Sequence, residues 1–350
     1  MKNDSLVIGV TILLCMGSAA DAKYSGGTGE PNDPYRIATP QNLNDVGNYE
    51  EDWDKHFILI NDVNLAQYSG TQFNIIGRWI DYYDPSNRPF VGVFDGNEHK
   101  ILNLTYNSTG RNGVGLFGYL GERSEIKTLG MENVDVNVVN GWHVGGLVGH
   151  NYFGTITDCY STGSVSGYVR VGGLVGGNKY GTITNCCSTG SVSGDMYIGG
   201  LMGYNFSSPI TNSYSTGSIT GIAYVGGLVG ENDYYGMITK CYSTGSVSGR
   251  VAVGGLVGLN KSTVTASFWD TQTSGQSASS GGTGKETAEM KTMSTFTTAG
   301  WDFLEIWGIG ENQTYPFLRT EPAGDLNHDK KVDFVDLAIM AMHWLATNNP

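Results

Sequence analysis

The chain has 350 residues, 33 of them acidic and 20 basic, and a net charge of −13, so its field repels a phosphate backbone and nucleic acid is not an expected partner. Hydrophobic residues make up 39%, enough for a core, and 52 glycines without a Gly-X-Y period point to a turn-rich β protein. Beyond residue 22 no stretch is long and apolar enough for a bilayer-spanning helix, so no transmembrane segment is expected.

The chain opens with Lys2, an apolar run from Leu6 to Met16 and the triplet Ala20-Asp21-Ala22, whose small-x-small form a signal peptidase cuts. Residues 1–22 are therefore expected to be a bacterial-type signal peptide. The mature chain would start near Lys23 and be secreted or held at the cell surface. A lipoprotein signal needs a small residue before its cysteine, whereas Cys15 follows Leu14. Residues 23–100, with the apolar run Phe57–Leu65, read as an N-terminal cap and first coils, because an uncovered solenoid end templates aggregation.

From residue 101 to 270 the sequence is periodic. The hexapeptide Val/Ile-Gly-Gly-Leu-x-Gly begins at Val144, Val171, Ile198, Val225 and Val253, about every 27 residues. A second block follows each of the first four copies, at Ile156–Gly167, Ile183–Gly194, Ile210–Gly221 and Ile238–Gly249, and decays at Val264–Trp269. Val114–Gly118 and Ile101–Leu104 look like an earlier, degenerate coil. Within a unit, Cys159, Ser161, Gly163 and Val165 alternate with Ser/Thr-rich neighbours at period two, the signature of strands. A unit this short cannot bury its own apolar face, so units must stack as parallel strands roughly 4.8 Å apart. The expected fold is all-β: a parallel β-helix, right-handed by the crossover rule, with a small EF-hand-like loop-helix at the C-terminus.

Stacking turns each position of the unit into a column. Leu147, Leu174, Leu201, Leu228 and Leu256 should form one inward column, and Asn151, Asn178, Asn205, Asn232 and Asn260 a turn-capping amide ladder or, alternatively, a polar binding row. Cys159, Cys186, Ser213 and Cys241 form a row of small inward side chains. Free buried thiols are the expectation there, although adjacent coils would also allow a Cys159–Cys186 bridge by distance. One residue further, Tyr160, Cys187, Tyr214, Tyr242 and Phe268 should face outward. Loop aromatics add Tyr152, Phe153, Tyr180, Phe206, Tyr234 and Tyr235. Exposed rings at the coil rise could stack on an extended glycan or pack on one another.

The Gly-Gly-Leu-x-Gly units and their Cys-Tyr-Ser-Thr-Gly partners resemble the GLUG-motif repeats of bacterial surface and secreted proteins. Gly26–Gly29, Asp33–Ile37 and Phe57–Leu65 are similar to the lead-in that precedes such repeats. These repeats occur beside IgA-cleaving metallopeptidase domains and in adhesin-like proteins. The resemblance therefore implies a surface or binding role and assigns no catalysis to the repeats.

Residues 271–319 read as a loop and C-terminal cap: Thr271–Gly284 is Ser/Gly/Thr-rich and expected to be flexible, and Trp301–Leu318 should fold back over the last coil. Residues 320–350 read as a hinge and a calcium loop-helix. Asp325, Asn327, Asp329, Asp333 and Asp336 supply side-chain oxygens at loop positions 1, 3, 5, 9 and 12, with the Lys331 carbonyl at position 7. A hard cation with flexible geometry wants this spacing, so Ca²⁺ is the expected cofactor. Leu337, Met340, Ala341 and Trp344 share one face of the helix that should follow. Lys330 stands where the sharp turn favours glycine, and Asp336 is shorter than a bidentate glutamate. Loop and helix resemble one half of a type I dockerin, which implies a cohesin-like or other anchoring partner.

Three functions follow from this reading. The leading one is a non-catalytic secreted or surface solenoid in adhesion or glycan binding, with Tyr160, Tyr214, Tyr242 and Phe268 as candidate glycan contacts and a calcium-dependent tail. The second is a polysaccharide lyase or glycoside hydrolase, which needs clustered carboxylates and a base, here from Asp81, Asp84, Asp95 or His99. The third is a structural spacer of the cell envelope. The repeat charges Asp158, Arg170, Lys179, Asp195, Asp233, Lys240 and Arg250 are expected not to share columns, and none of the six histidines belongs to an H-E-x-x-H pair.

Overall fold

A computed structural model describes residues 23–319 and 337–340. The expected signal peptide and the calcium-loop residues 325–336 lie outside them.

The repeats form a parallel β-solenoid. Five coils, from Trp142 to Asp270, each contribute to all four of its long sheets. Two sheets come from the hexapeptide: Val144, Val171, Ile198, Val225 and Val253 pair in register in one, and Val148, Val175, Met202, Val229 and Val257 in the next. The third holds the Ile156, Ile183, Ile210, Ile238 and Val264 column, and the fourth the Tyr160-to-Phe268 column. The five leucines occupy one fully buried column, joined by backbone bonds such as Leu174 N to Leu201 O at 3.1 Å.

The glycines of the hexapeptide explain why its two sequence blocks occur together. A Cβ on Gly172 would lie 2.2 Å from the Val175 carbonyl, and one on Gly173 2.0 Å from Ser188 Oγ. The second glycine thus packs directly against the serine of the Cys-Tyr-Ser block on the opposite wall. Between two neighbouring coils this contact leaves room for neither a larger residue at the glycine nor a larger one at the serine, and only in the last coil, against Gly255, does Trp269 take the serine's place. Ser188 and Ser215 fill that space with hydroxyls that are buried and unpartnered.

Asn151, Asn178, Asn205 and Asn232 are fully buried. Each donates Nδ2 to the next amide along the axis, at 2.8, 3.2, 2.9 and 2.8 Å, and also to a carbonyl of its own turn, as Asn151 does to Gly154 at 2.9 Å. With both donor hydrogens used, the column is a structural ladder that satisfies the turn. The cysteine row has an equally local role. Cys159 and Cys186 place Sγ 3.1 Å, and Ser213 Oγ 2.9 Å, from the carbonyl two residues back. That contact closes a corner whose preceding residue, Asp158, Asn185 or Asn212, has φ near +50°. Thiol and hydroxyl are interchangeable in this position, and the four described cysteines are free.

Both ends are covered. The helix Pro40–Asn48, N-capped by the Thr39 side chain, buries Leu43 and Val46 against the first coils. At the other end Thr271–Gly284 departs from the flexible loop expected of its composition. It includes the short helix Thr271–Ser274, and Ser279 Oγ accepts the Leu256 and Val257 N–H groups, while Thr283–Lys285 adds a strand beside Phe268–Asp270. Small residues are required here because the segment lies flat on an open coil end and supplies the partners a further coil would have given. Met290, Phe296, Trp301 and Trp307 then form a second core over Tyr242 and Phe268.

Candidate functional site

On the second hexapeptide sheet, period two turns the asparagines inward and their neighbours on both sides outward. The outward rows read Tyr119, His150, Gly177, Tyr204, Glu231, Leu259 and Tyr152, Lys179, Phe206, Asp233. The next residue lies in the corner, where Phe153, Tyr180 and Tyr234 all have positive φ. Backbone turn and coil stacking together bring rings of successive coils face to face. Phe153 stacks on Tyr180 at 4.8 Å, Tyr180 meets Phe206 edge-on at 5.6 Å, and Phe206 stacks on Tyr234 at 5.1 Å. On the other flank Tyr197 and Tyr224 lie parallel at 4.8 Å. Phe153, Tyr180 and Tyr234 remain 44%, 37% and 56% exposed, so the face is an aromatic ridge running along the solenoid axis.

One end of the ridge is closed by the loop that carries Trp79 and Tyr82. Trp79 covers His143 and His150, ring to ring at 4.5 and 5.3 Å. Their Nδ1 atoms meet at 3.1 Å, and Arg170 Nη1 donates to His143 Nε2 at 2.8 Å. His143 therefore carries its proton on Nδ1 and donates it to His150. Burial, followed by the charges of Arg170 and Lys179, holds His150 down to about 3. Burial, followed by His150 and Arg170, holds His143 well below the usual imidazole range. Both rings are neutral at ordinary pH.

The four tyrosine-column residues singled out in the sequence are placed elsewhere. Tyr160 is half-buried and donates to Glu132 at 2.7 Å, while Tyr214 stacks on Tyr242 at 4.9 Å. Tyr242 and Phe268 are buried beneath Trp301 and Trp307, with Tyr242 OH bonded to the Pro316 carbonyl. The column does leave the leucine core, but the C-terminal cap has covered its last two members and closes them to an external ligand.

The expectation about repeat charges also needs correcting. Lys179 and Asp233 share a column two coils apart, and Asp158 and Lys240 share one three coils apart, because each pair sits at equivalent points of the period.

Of the proposed catalytic set, Asp81 and Asp84 accept from backbone N–H groups of their own turn, and Asp95 from Thr128 and Asn97. His99 meets Asp62 at 3.2 Å, beside a Lys100–Glu132 ion pair of 2.7 Å. This is a convergence of two carboxylates and basic groups. It is open to solvent, and hydrogen bonds hold both carboxyls below their usual range: from the Lys100 N–H to Asp62, and from the Lys100 and Tyr160 side chains to Glu132. A general acid requires the opposite displacement. Among the described residues no group of three or more His, Cys, Asp or Glu could hold a metal ion.

A family model described as the GLUG motif matches residues 140–166, 194–220 and 221–248. A protein of Evansella cellulosilytica, provisionally named a Gly-rich membrane protein, is 34% identical over 39% of this chain, and a halomucin of Haloquadratum walsbyi is 32% identical over 43%. The chain spans 15% and 2% of the lengths of these two relatives. A crystal structure from Bacteroides ovatus, provisionally described as an immunoglobulin A1 protease, superposes with a TM-score of 0.50 over 85% of this chain and 95% of its own, at 20% identity, a likeness of fold alone. The chain thus carries GLUG motif repeats in three places, built into a parallel β-solenoid.

Proposed function

We propose that this chain is a non-catalytic β-solenoid of an exported or cell-surface protein and that it binds an extended polysaccharide along the aromatic ridge. The ridge carries the reading: exposed rings stacked at the coil rise of an otherwise polar, acidic surface form a continuous apolar track. A pyranose lays its C–H face on such a ring while its hydroxyls stay hydrated. The names of the two sequence relatives, a Gly-rich membrane protein and a halomucin, support placement at the cell surface. Residues 325–336 would bind one Ca²⁺ and dock the solenoid to an anchoring protein, a role that rests on the donor spacing in the sequence.

A pulldown of the full chain with insoluble cell-wall polysaccharides tests the ridge. The variant Phe153→Ala/Tyr180→Ala/Tyr234→Ala should bind about tenfold more weakly, the equivalent of about 1.4 kcal/mol. Its thermal midpoint should stay close to that of the parent, since the three rings lie outside the buried core. Undiminished binding by that variant would remove the ridge from the function. Depolymerisation of the bound glycan, lost on Glu132→Gln, would favour the enzyme alternative at the Asp62–Lys100–Glu132 cluster. Calorimetry should show one-site calcium binding that Asp325→Ala abolishes, with the main unfolding transition in place; absence of binding at millimolar calcium removes the docking role.

A further inference from the structure

The ridge is not uniform in charge. Several basic side chains of this acidic chain pair with carboxylates, and on the ridge itself Lys261 meets Glu231 at 2.6 Å. Lys179 and Arg170 have no such partner among the described residues. Lys179 Nζ lies amid Phe206, Tyr180, Tyr82 and Tyr152, 5.3 to 5.9 Å from the four ring centres. Arg170 packs 4.4 Å over Tyr204 and 5.8 Å from Tyr82, bonds to Tyr82 OH and His143 through Nη1, and leaves its Nε buried without a partner.

Two cations therefore flank one tyrosine ring, held by neutral groups only. Like charges at one site repel, and the ring faces, worth about 0.5–2 kcal/mol each, attract the cations without supplying a countercharge. The depressed basicity of His150, caused after burial by these same two charges, registers the positive field they leave. Further along the same sheet the sign changes: Glu231 and Asp233 face the ridge, but Lys261 reaches both, at 2.6 and 3.9 Å, and Tyr204 OH donates to Asp233 at 3.2 Å. The ridge is thus positive at its Tyr82 end and carries one carboxylate more than its cations at the other.

We propose that the ligand of this face is an acidic polysaccharide, with Lys179 and Arg170 receiving its carboxylates while the rings stack on its sugars. This rests on the glycan-binding reading above. The net charge of −13 does not oppose it at contact, because salt screens charges beyond about 8 Å at physiological ionic strength, whereas the two cations stand at the surface the polymer touches.

Polygalacturonate and its full methyl ester share one backbone and differ in charge, which makes them the probes. In titration calorimetry at physiological ionic strength the full chain should bind the acid form about tenfold tighter than the ester, and raising the salt to about 0.5 M should erase the difference. Lys179→Gln should reduce the ratio severalfold and Lys179→Arg should keep it; among the described residues Lys179 makes no hydrogen bond through Nζ, so neither change should unfold the coil. Equal affinity for acid and ester, or a ratio unmoved by Lys179→Gln, overturns the proposal and leaves the aromatic ridge as a neutral-glycan site. Binding of neither polymer overturns both.

Discussion

Between residues 142 and 260 leucine lies under leucine and amide on amide, and in the first four coils glycine packs against serine. In the N-terminal coils the same walls are filled by large rings, with Phe57, Phe90, Phe94 and Phe117 packed at 5.2 to 6.2 Å from one another. The repeated coils are thin and alike, so each stabilises its neighbours by nearly the same amount and the stack behaves as a one-dimensional array. The N-terminal coils are aperiodic. Their strength lies in a few aromatic contacts, and their loops are free to leave the stack: the segment with Trp79 and Tyr82 crosses to His143 and Arg170 on the repeats. Regularity makes the scaffold, and the irregular part closes one end of the aromatic ridge.

The contrast can be broken most severely from inside the array. Leu201→Asp puts an unpaired carboxylate in a fully buried column, at a cost of several kcal/mol, and should abolish folding as judged by circular dichroism and proteolysis. Phe94→Ala should cost about 3–5 kcal/mol but act on the aperiodic coils. The expected result is a melt with two steps, an early N-terminal one and a later one near the parent midpoint; a single shifted transition would show the two regions to be one cooperative unit.

The junction between the regions should be sensitive to pH. Both histidines have folded values below that of the unfolded chain, so their contribution is complete above about pH 6.5 and is lost as pH falls toward the folded values. By pH 5 this amounts to about 2 kcal/mol at His150, and His143 acts in the same direction. His150→Gln should flatten that part of the pH–stability curve, which denaturant midpoints at pH 7, 6 and 5 would read. The smallest effect is expected of Ser188→Ala. It removes a buried hydroxyl without a partner and keeps the Cβ that fits Gly173, so the midpoint should stay or rise slightly.

The leucine, asparagine and cysteine columns were legible because a constant period fixes which residues lie above one another, whatever their chemistry. Exposure was not legible in the same way. The Tyr160, Tyr214, Tyr242, Phe268 column satisfies the outward rule, yet Trp301 and Trp307 cover its end, and no period announces where an aperiodic segment lands. Thr271–Gly284 has the composition of a linker and makes ordered bonds because the open end of the last coil offers unpaired backbone groups. The loop rings Phe153, Tyr180 and Tyr234 were visible as loop aromatics, but their mutual stacking depends on the left-handed corners that orient them.

The sequence by itself determined the stack: a repeat too short to hold its own core must lie on its neighbours, and that requirement brings the strands into register and makes thin coils of the glycine-serine pairs. Only the tertiary structure decided which outward columns face solvent and which cations lack an anion. Tyr82 reaches Arg170 from 88 residues away, and such a contact depends on where a loop returns in space, which local periodicity does not encode.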